Sequence, residues 1–200
     1  MVLADAQALL AASIARFADL TEDELQRFVS AFTPARFPKK AMLLHAGEVS
    51  DKEFFVTAGC LRTYMIDANG KEVTLSFAPE GWWAADLASF TQRMPSRFHI
   101  EALEHTDVLA IGHNAKEELF ASVPRLERVF RLLVQRRLAA LQDRFVQVLS
   151  SSAEVCYNDF LVKYPMLHGR IPQTVIATYV GITPEFLSKL RARAVGKGRA

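Results

Sequence analysis

The chain has 200 residues and a mass of 22.4 kDa, with half of its residues hydrophobic and 23% charged. That is one large domain or two small ones of ordinary globular balance, which excludes a disordered, collagen-like or disulfide-stapled chain. The net charge of +2 hides a split: residues 1–124 hold 11 Lys/Arg against 17 Asp/Glu, net −6, and residues 125–200 hold 13 against 5, net +8. An acidic front and a basic back suggest two modules, the second facing a polyanion.

The first 30 residues read as helix, rich in Ala, Leu, Ile and Phe up to Phe17. Thr21 with Glu24 fits a capping box that opens a short helix through Leu25 and Phe28. From about Thr33 to Gly112 the texture changes to short strand-like runs: Phe54–Val56, then Leu61, Tyr64 and Ile66, then Val73, Leu75 and Phe77, then Phe98, Ile100 and Ala102. Gly47, Gly59, Gly70 and Gly81 punctuate them at spacings of 12, 11 and 11 residues, and Asn69-Gly70 is expected to be a two-residue hairpin turn. Such a pattern predicts an antiparallel sandwich, roll or barrel.

Helix returns at Ala115–Ser122, and a longer one is expected from Pro124 to Ser150. Within it Val134, Leu138, Leu141, Phe145 and Val148 follow a 4, 3, 4, 3 spacing, and Leu126, Phe130 and Leu133 prolong the apolar stripe towards the start. That seam suits packing on its own domain or a two-helix dimer interface. Ser151 with Glu154 fits another capping box, for a helix ending near Tyr164-Pro165.

The last 30 residues carry the most specific signal. Gln173–Val180 reads as a short amphipathic helix with Ile176, Ala177 and Val180 on its apolar side, and Gly181 can end it in the left-handed conformation. Thr183 can cap a second helix that has Pro184 at its first position and Glu185 in its first turn. Phe186, Leu187 and Leu190 are expected to point inward, with Ser188, Lys189, Arg191 and Arg193 outward. Helix, glycine-containing turn, helix is the helix-turn-helix unit, whose second helix enters the DNA major groove.

With the order of parts in view, the chain resembles the Crp/Fnr family of bacterial transcription factors over nearly its whole length. His45-Ala46-Gly47-Glu48, Phe54 to Arg62 and Asn69 to Leu75 are similar to the family's β-roll pattern, and Ile171-Pro172-Gln173 with Gly181 to Ser188 to its DNA-binding segment. The resemblance implies an α+β chain. Residues 1–123 would form an antiparallel, cyclic-nucleotide-binding-like β-roll (a jelly roll) with flanking helices. Residues 124–150 would be a long dimerisation helix presenting Val134, Leu138, Leu141, Phe145 and Val148, and residues 151–200 a helix-turn-helix domain. The implied partners are double-stranded DNA, a second copy of the chain and RNA polymerase. Gln173, Thr174, Thr183, Glu185, Ser188, Lys189, Arg191 and Arg193 would face the DNA. Where family members read DNA with an Arg-Glu-x-x-x-Arg set, this chain has Pro184, Glu185 and Lys189. Its sequence preference should therefore differ, since proline cannot read a base edge.

The family's cyclic-AMP cassette, a Gly-Glu pair and an Arg-Ser pair, falls here on Ala85, Asp86, Ser96 and Arg97. A buried phosphate needs a cation in register and close backbone donors. Arg97 stands one residue late, Trp82 and Trp83 add bulk, and Asp86 and Arg97 read as surface charge. The ligand pocket is therefore expected to be degenerate, leaving an unknown effector or none. Only six residues follow Ala194, too few for a β-hairpin wing.

Other chemistries find little to work with. Cys60 and Cys156 form no CxxC pair, so a Cys-ligated zinc or iron–sulfur site is excluded on ligand count, and two reduced thiols are expected. His45, His99, His105, His113 and His168 make no HxH or HExxH pair, and no GxSxG or phosphate loop occurs. No metal or other cofactor is expected. No apolar run approaches the ~18 residues of a membrane span, and the start lacks the features of a signal peptide, so the expected location is the cytoplasm, without a membrane partner. The alternative reading is a β-roll ligand sensor or cupin-like metal enzyme whose helical tail only dimerises.

Overall fold

A computed structural model describes residues 2–197, with side chains up to residue 192. Two helices open the chain, α1 (Leu3–Ala15) and α2 (Glu22–Ser30). The capping box forms as expected: the Thr21 hydroxyl accepts from the Glu24 N–H while the Glu24 carboxylate accepts from the Thr21 N–H. Eight strands and a helix follow: β1 (Thr33–Phe37), β2 (Met42–Leu44), β3 (Lys52–Ala58), β4 (Leu61–Ile66), β5 (Glu72–Ala78), β6 (Trp83–Ala84), α3 (Leu87–Gln92), β7 (His99–Ala102) and β8 (Thr106–Gly112). Then come α4 (His113–Ser122), α5 (Arg125–Ser150), α6 (Ala153–Lys163), α7 (Gln173–Val180) and α8 (Pro184–Lys197).

The strands form two four-stranded sheets, β1-β8-β3-β6 and β2-β7-β4-β5. Strand β3 reads as an unbroken apolar run because both of its faces are covered. Phe54 and Val56 join Leu61, Ile100, Ala102, Val108 and Ala110 in one core. Phe55 turns the other way and, with Leu109 and Ile111 of β8, packs on α1, α2, α4 and the start of α5 through Leu10, Ile14, Phe28, Leu119, Leu126 and Phe130.

In that helical layer Lys116 of α4 is buried, its ammonium 2.6 Å from the Glu53 carboxylate of β3. The same ammonium lies 4.3–5.6 Å from the ring centres of Phe90, Phe120 and Phe130. A buried ion pair survives only when both charges are matched, and here the aromatic faces supply the rest of the cation's surroundings.

All four punctuating glycines take positive φ, between +77° and +94°. Gly59 has the least freedom, because a Cβ there would overlap the backbone oxygen of His105. Gly70 departs from expectation. The β4–β5 connection is a wider loop in which Gly70 alone is left-handed: Asp67 N–H bonds to the Lys71 carbonyl, and the Asp67 carboxylate accepts from Asn69 and Lys71. A side chain able to cap two N–H groups stabilises this turn over the two-residue form. Strand β5 also differs: Val73 is exposed and Thr74 buried. Helix α3 was not foreseen, being too short for a periodic signal. The box at Ser151 is displaced by one residue, with Ser152 as the N-cap, accepting from Val155.

Two compact units result, residues 1–65 with 76–137, and residues 66–75 with 138–200. The first contains both cores just described. The second gathers Phe160, Tyr164, Leu167, Ile171, Ile176, Tyr179, Leu187 and Leu190, all buried.

Candidate nucleic-acid interface and β-roll site

In the second unit, helix α7 stops at Gly181, whose φ of +85° lets its N–H and that of Ile182 both bond back to the Ala177 carbonyl. Thr183 starts α8, its hydroxyl accepting from the Phe186 N–H at 3.2 Å. Pro184 takes the first helical position, where its missing N–H costs nothing. Glycine stop, threonine cap and proline start thus set the turn between the two helices.

An aromatic cluster supports α7. Tyr157, Phe160, Tyr164 and Tyr179 lie 5.6–6.3 Å apart in successive ring pairs. The Arg144 guanidinium of α5 lies 3.4 Å from the Tyr179 ring centre and donates to the Tyr179 backbone oxygen. Burial pushes the Tyr179 phenol above its ordinary range. The Thr74 and Thr178 hydroxyls, both within this unit, meet at 2.6 Å. Sequence reasoning missed Arg144 and these aromatics, although the spacing of Tyr157, Phe160 and Tyr164 along one helical face was available to it.

The expected DNA-facing residues fall as follows. Thr174, Thr183, Glu185, Ser188 and Lys189 are exposed, Gln173 and Arg191 are half-buried, and the Arg193 side chain lies outside the described residues. The Glu185 carboxyl is held below its usual range by its own backbone N–H, then by the Thr183 hydroxyl and Lys189. Phe186 corrects the inward expectation: it is 43% exposed, whereas Leu187 and Leu190 are at 0% and 7%. With 3.6 residues per turn, position 186 lies on the flank of the buried stripe, not within it.

On α5 the apolar stripe divides. Leu126 and Phe130 belong to the core of the first unit, while Val134, Leu138, Leu141, Phe145 and Val148 are 43–65% exposed. Val146 and Leu149, outside the 4, 3, 4, 3 seam, are exposed at 60% and 70% and widen the apolar face.

At the β-roll cassette positions, Ala85 and Asp86 are buried beside Ser96, and Arg97 is exposed. Asp86 is therefore no surface charge. It is the N-cap of α3: one carboxylate oxygen accepts from the Ala88 and Ser89 N–H groups, and the other accepts the Ser96 hydroxyl at 2.8 Å. Backbone bonds from Ser96 to Glu48 and from Gly47 to Ser96 close the segment onto the preceding loop. The Ala85 carbonyl accepts from Arg137 of α5 at 3.3 Å. The donors at the start of α3 are thus engaged by an internal anion. Trp83 packs with Phe32, Phe55 and Phe130, while Trp82 is 41% exposed. Among the described residues no group of three His, Cys, Asp or Glu side chains could hold a metal ion, and no helix is long and apolar enough to cross a membrane.

Known proteins resemble this chain over most of its length. Residues 34–123 match the model of the cyclic nucleotide-binding domain. The cAMP-activated global transcriptional regulator CRP of Escherichia coli O6:H1 is 23% identical over 182 residues, covering 85% of this chain and 86% of that protein. The structure of FixK2 from Bradyrhizobium japonicum superposes with a TM-score of 0.72 at 17% identity, over 84% of this chain and 86% of that one. A putative regulator of the Crp/Fnr family from Eubacterium rectale superposes with a TM-score of 0.66 at 19% identity, over 89% and 85%. The chain thus carries a matched cyclic nucleotide-binding domain, is similar to curated transcriptional regulators over most of its length, and shares the fold of structures from the Crp/Fnr family.

Proposed function

We propose that the chain regulates transcription by binding double-stranded DNA as a homodimer, paired through the exposed face of α5 and reading a palindromic operator with two copies of α8. The observation that carries this is the α7–Gly181–α8 unit, whose outward side in the first turns of α8 is Glu185, Ser188 and Lys189. The N-terminal half of such a helix meets base edges, and half-sites of a two-fold dimer lie ~34 Å apart. On this reading residues 1–123, 124–150 and 151–200 are the sensory, dimerisation and DNA-binding parts, and the protein works in the cytoplasm with RNA polymerase as a further partner. Relatives that are transcription regulators fit a chain without enzymatic activity.

The effector is not cyclic AMP on this reading. An incoming phosphate would meet the Asp86 carboxylate already bonded to the first N–H groups of α3, with Arg97 turned to solvent. An unpaired buried charge costs several kcal/mol, about a thousandfold in affinity. Calorimetry showing micromolar binding of cyclic AMP would overturn that part. For the whole proposal, bound duplexes are selected from a random pool at two salt concentrations. A palindrome is expected. Recovery of none, together with binding that Lys189→Ala leaves intact, would remove α8 from the groove.

A further inference from the structure

We infer that Phe186 selects a thymine in each half-site by packing its ring on the thymine methyl group, an inference that rests on the DNA-reading role proposed for α8. A single exposed apolar side chain is ordinary on a protein surface, so exposure alone would mean nothing. The position and the neighbours give it meaning. Phe186 is the one large apolar side chain exposed among the described residues of α8, and it stands in the first turn, the end of the helix that approaches base edges. Three residues on, Lys189 follows it on the same side of the helix and is also exposed.

Two backbone donors of that turn are absent or taken. Pro184 has no N–H, and the Phe186 N–H is bonded to the Thr183 hydroxyl. Hydrogen-bond readout falls to the exposed Glu185, Ser188 and Lys189, and beside them Phe186 offers the groove a hydrocarbon surface. The major groove presents a single apolar mark, the C5-methyl of thymine. The ring of Phe186 therefore discriminates thymine from cytosine by contact, at a base pair next to the one Lys189 meets.

The test uses the full chain and the operator recovered by selection, with each thymidine replaced in turn by deoxyuridine. That exchange removes the methyl and leaves every hydrogen-bonding group in place. One thymine per half-site should respond, with binding weakened roughly fourfold for the loss of one buried methyl and roughly fifteenfold when both half-sites are exchanged. Phe186→Ala should bind the thymidine and deoxyuridine operators equally, and Phe186→Leu should keep part of the difference. The unmodified protein supplies the first comparison without any variant, so a folding defect in Phe186→Ala cannot decide the matter. A palindrome whose binding is indifferent to every methyl would overturn the inference and leave the DNA-reading role standing. So would a methyl effect that Phe186→Ala retains. Recovery of no specific duplex would remove the DNA-reading role itself, and the inference with it.

Discussion

Aspartate placed at both Leu138 and Leu141 should separate the proposed dimer while leaving each protomer folded. Both leucines are 53% exposed in the single chain, so in the protomer the change touches little and should fall within about 0.5 kcal/mol. In a dimer the account differs. A leucine side chain contributes ~1.5–3 kcal/mol when fully buried, so covering its exposed half adds about 1 kcal/mol. Two leucines on each of two helices then amount to roughly 4 kcal/mol, and four carboxylates forced into an apolar seam add several more. The dissociation constant should rise at least a thousandfold, since ~4 kcal/mol corresponds to three decades. Sedimentation equilibrium measures the dissociation constant, and thermal unfolding at a concentration where the variant is monomeric checks the protomer. A variant that sediments as an unchanged dimer would refute the reasoning and take this face of α5 out of the interface.

Asp86→Ala should lower stability by about 1–3 kcal/mol in denaturant titration, since it removes the cap of α3 and leaves the buried Ser96 hydroxyl only the Phe98 carbonyl as acceptor. Lys189→Ala should cost ~1–3 kcal/mol on the cognate operator and relax preference at one base pair, whereas Arg191→Ala should weaken all duplexes alike and reduce the salt slope by roughly one, both read by fluorescence anisotropy across a salt series. Lowering the pH should loosen the β4–β5 turn. The bonded N–H groups of Lys71 and Asn69 hold the Asp67 carboxyl below its ordinary value, so its contribution is present above about pH 4 and is lost as the pH falls through its lowered value. Amide resonances of Asn69 and Lys71 should shift in that window, and Asp67→Asn should abolish the shift.

Much of the fold was legible because its determinants are local. The capping box at Thr21 and the Gly181–Thr183–Pro184 turn each depend on one or two residues with special backbone or hydrogen-bonding properties, and each forms. The misses have a common cause, competition between local options that only packing resolves. Ser151 and Ser152 are both competent caps, and the helix uses the second. Asp86 resembled a surface charge because its partners, Ser89 and Ser96, are assembled by the bend around α3, a helix of six residues that shows too little of its period. Phe186 next to Leu187 looked like core until the two were seen to stand 100° apart around the helix. Arg144 was unreadable as a functional support, because its aromatic partner Tyr179 lies 35 residues away.

Lys116 and Glu53 impose a constraint on how this sequence can drift. Losing the carboxylate alone leaves a cation enclosed by Phe90, Phe120 and Phe130, and losing the ammonium alone leaves an anion inside the same layer; either single step costs about 3–5 kcal/mol, a large part of a domain's total stability. Exchanging both for apolar side chains of similar volume is close to neutral. Two acceptable sequences are thus separated by intermediates that fold poorly, and the strand and the helix that carry these residues can change at these positions only together.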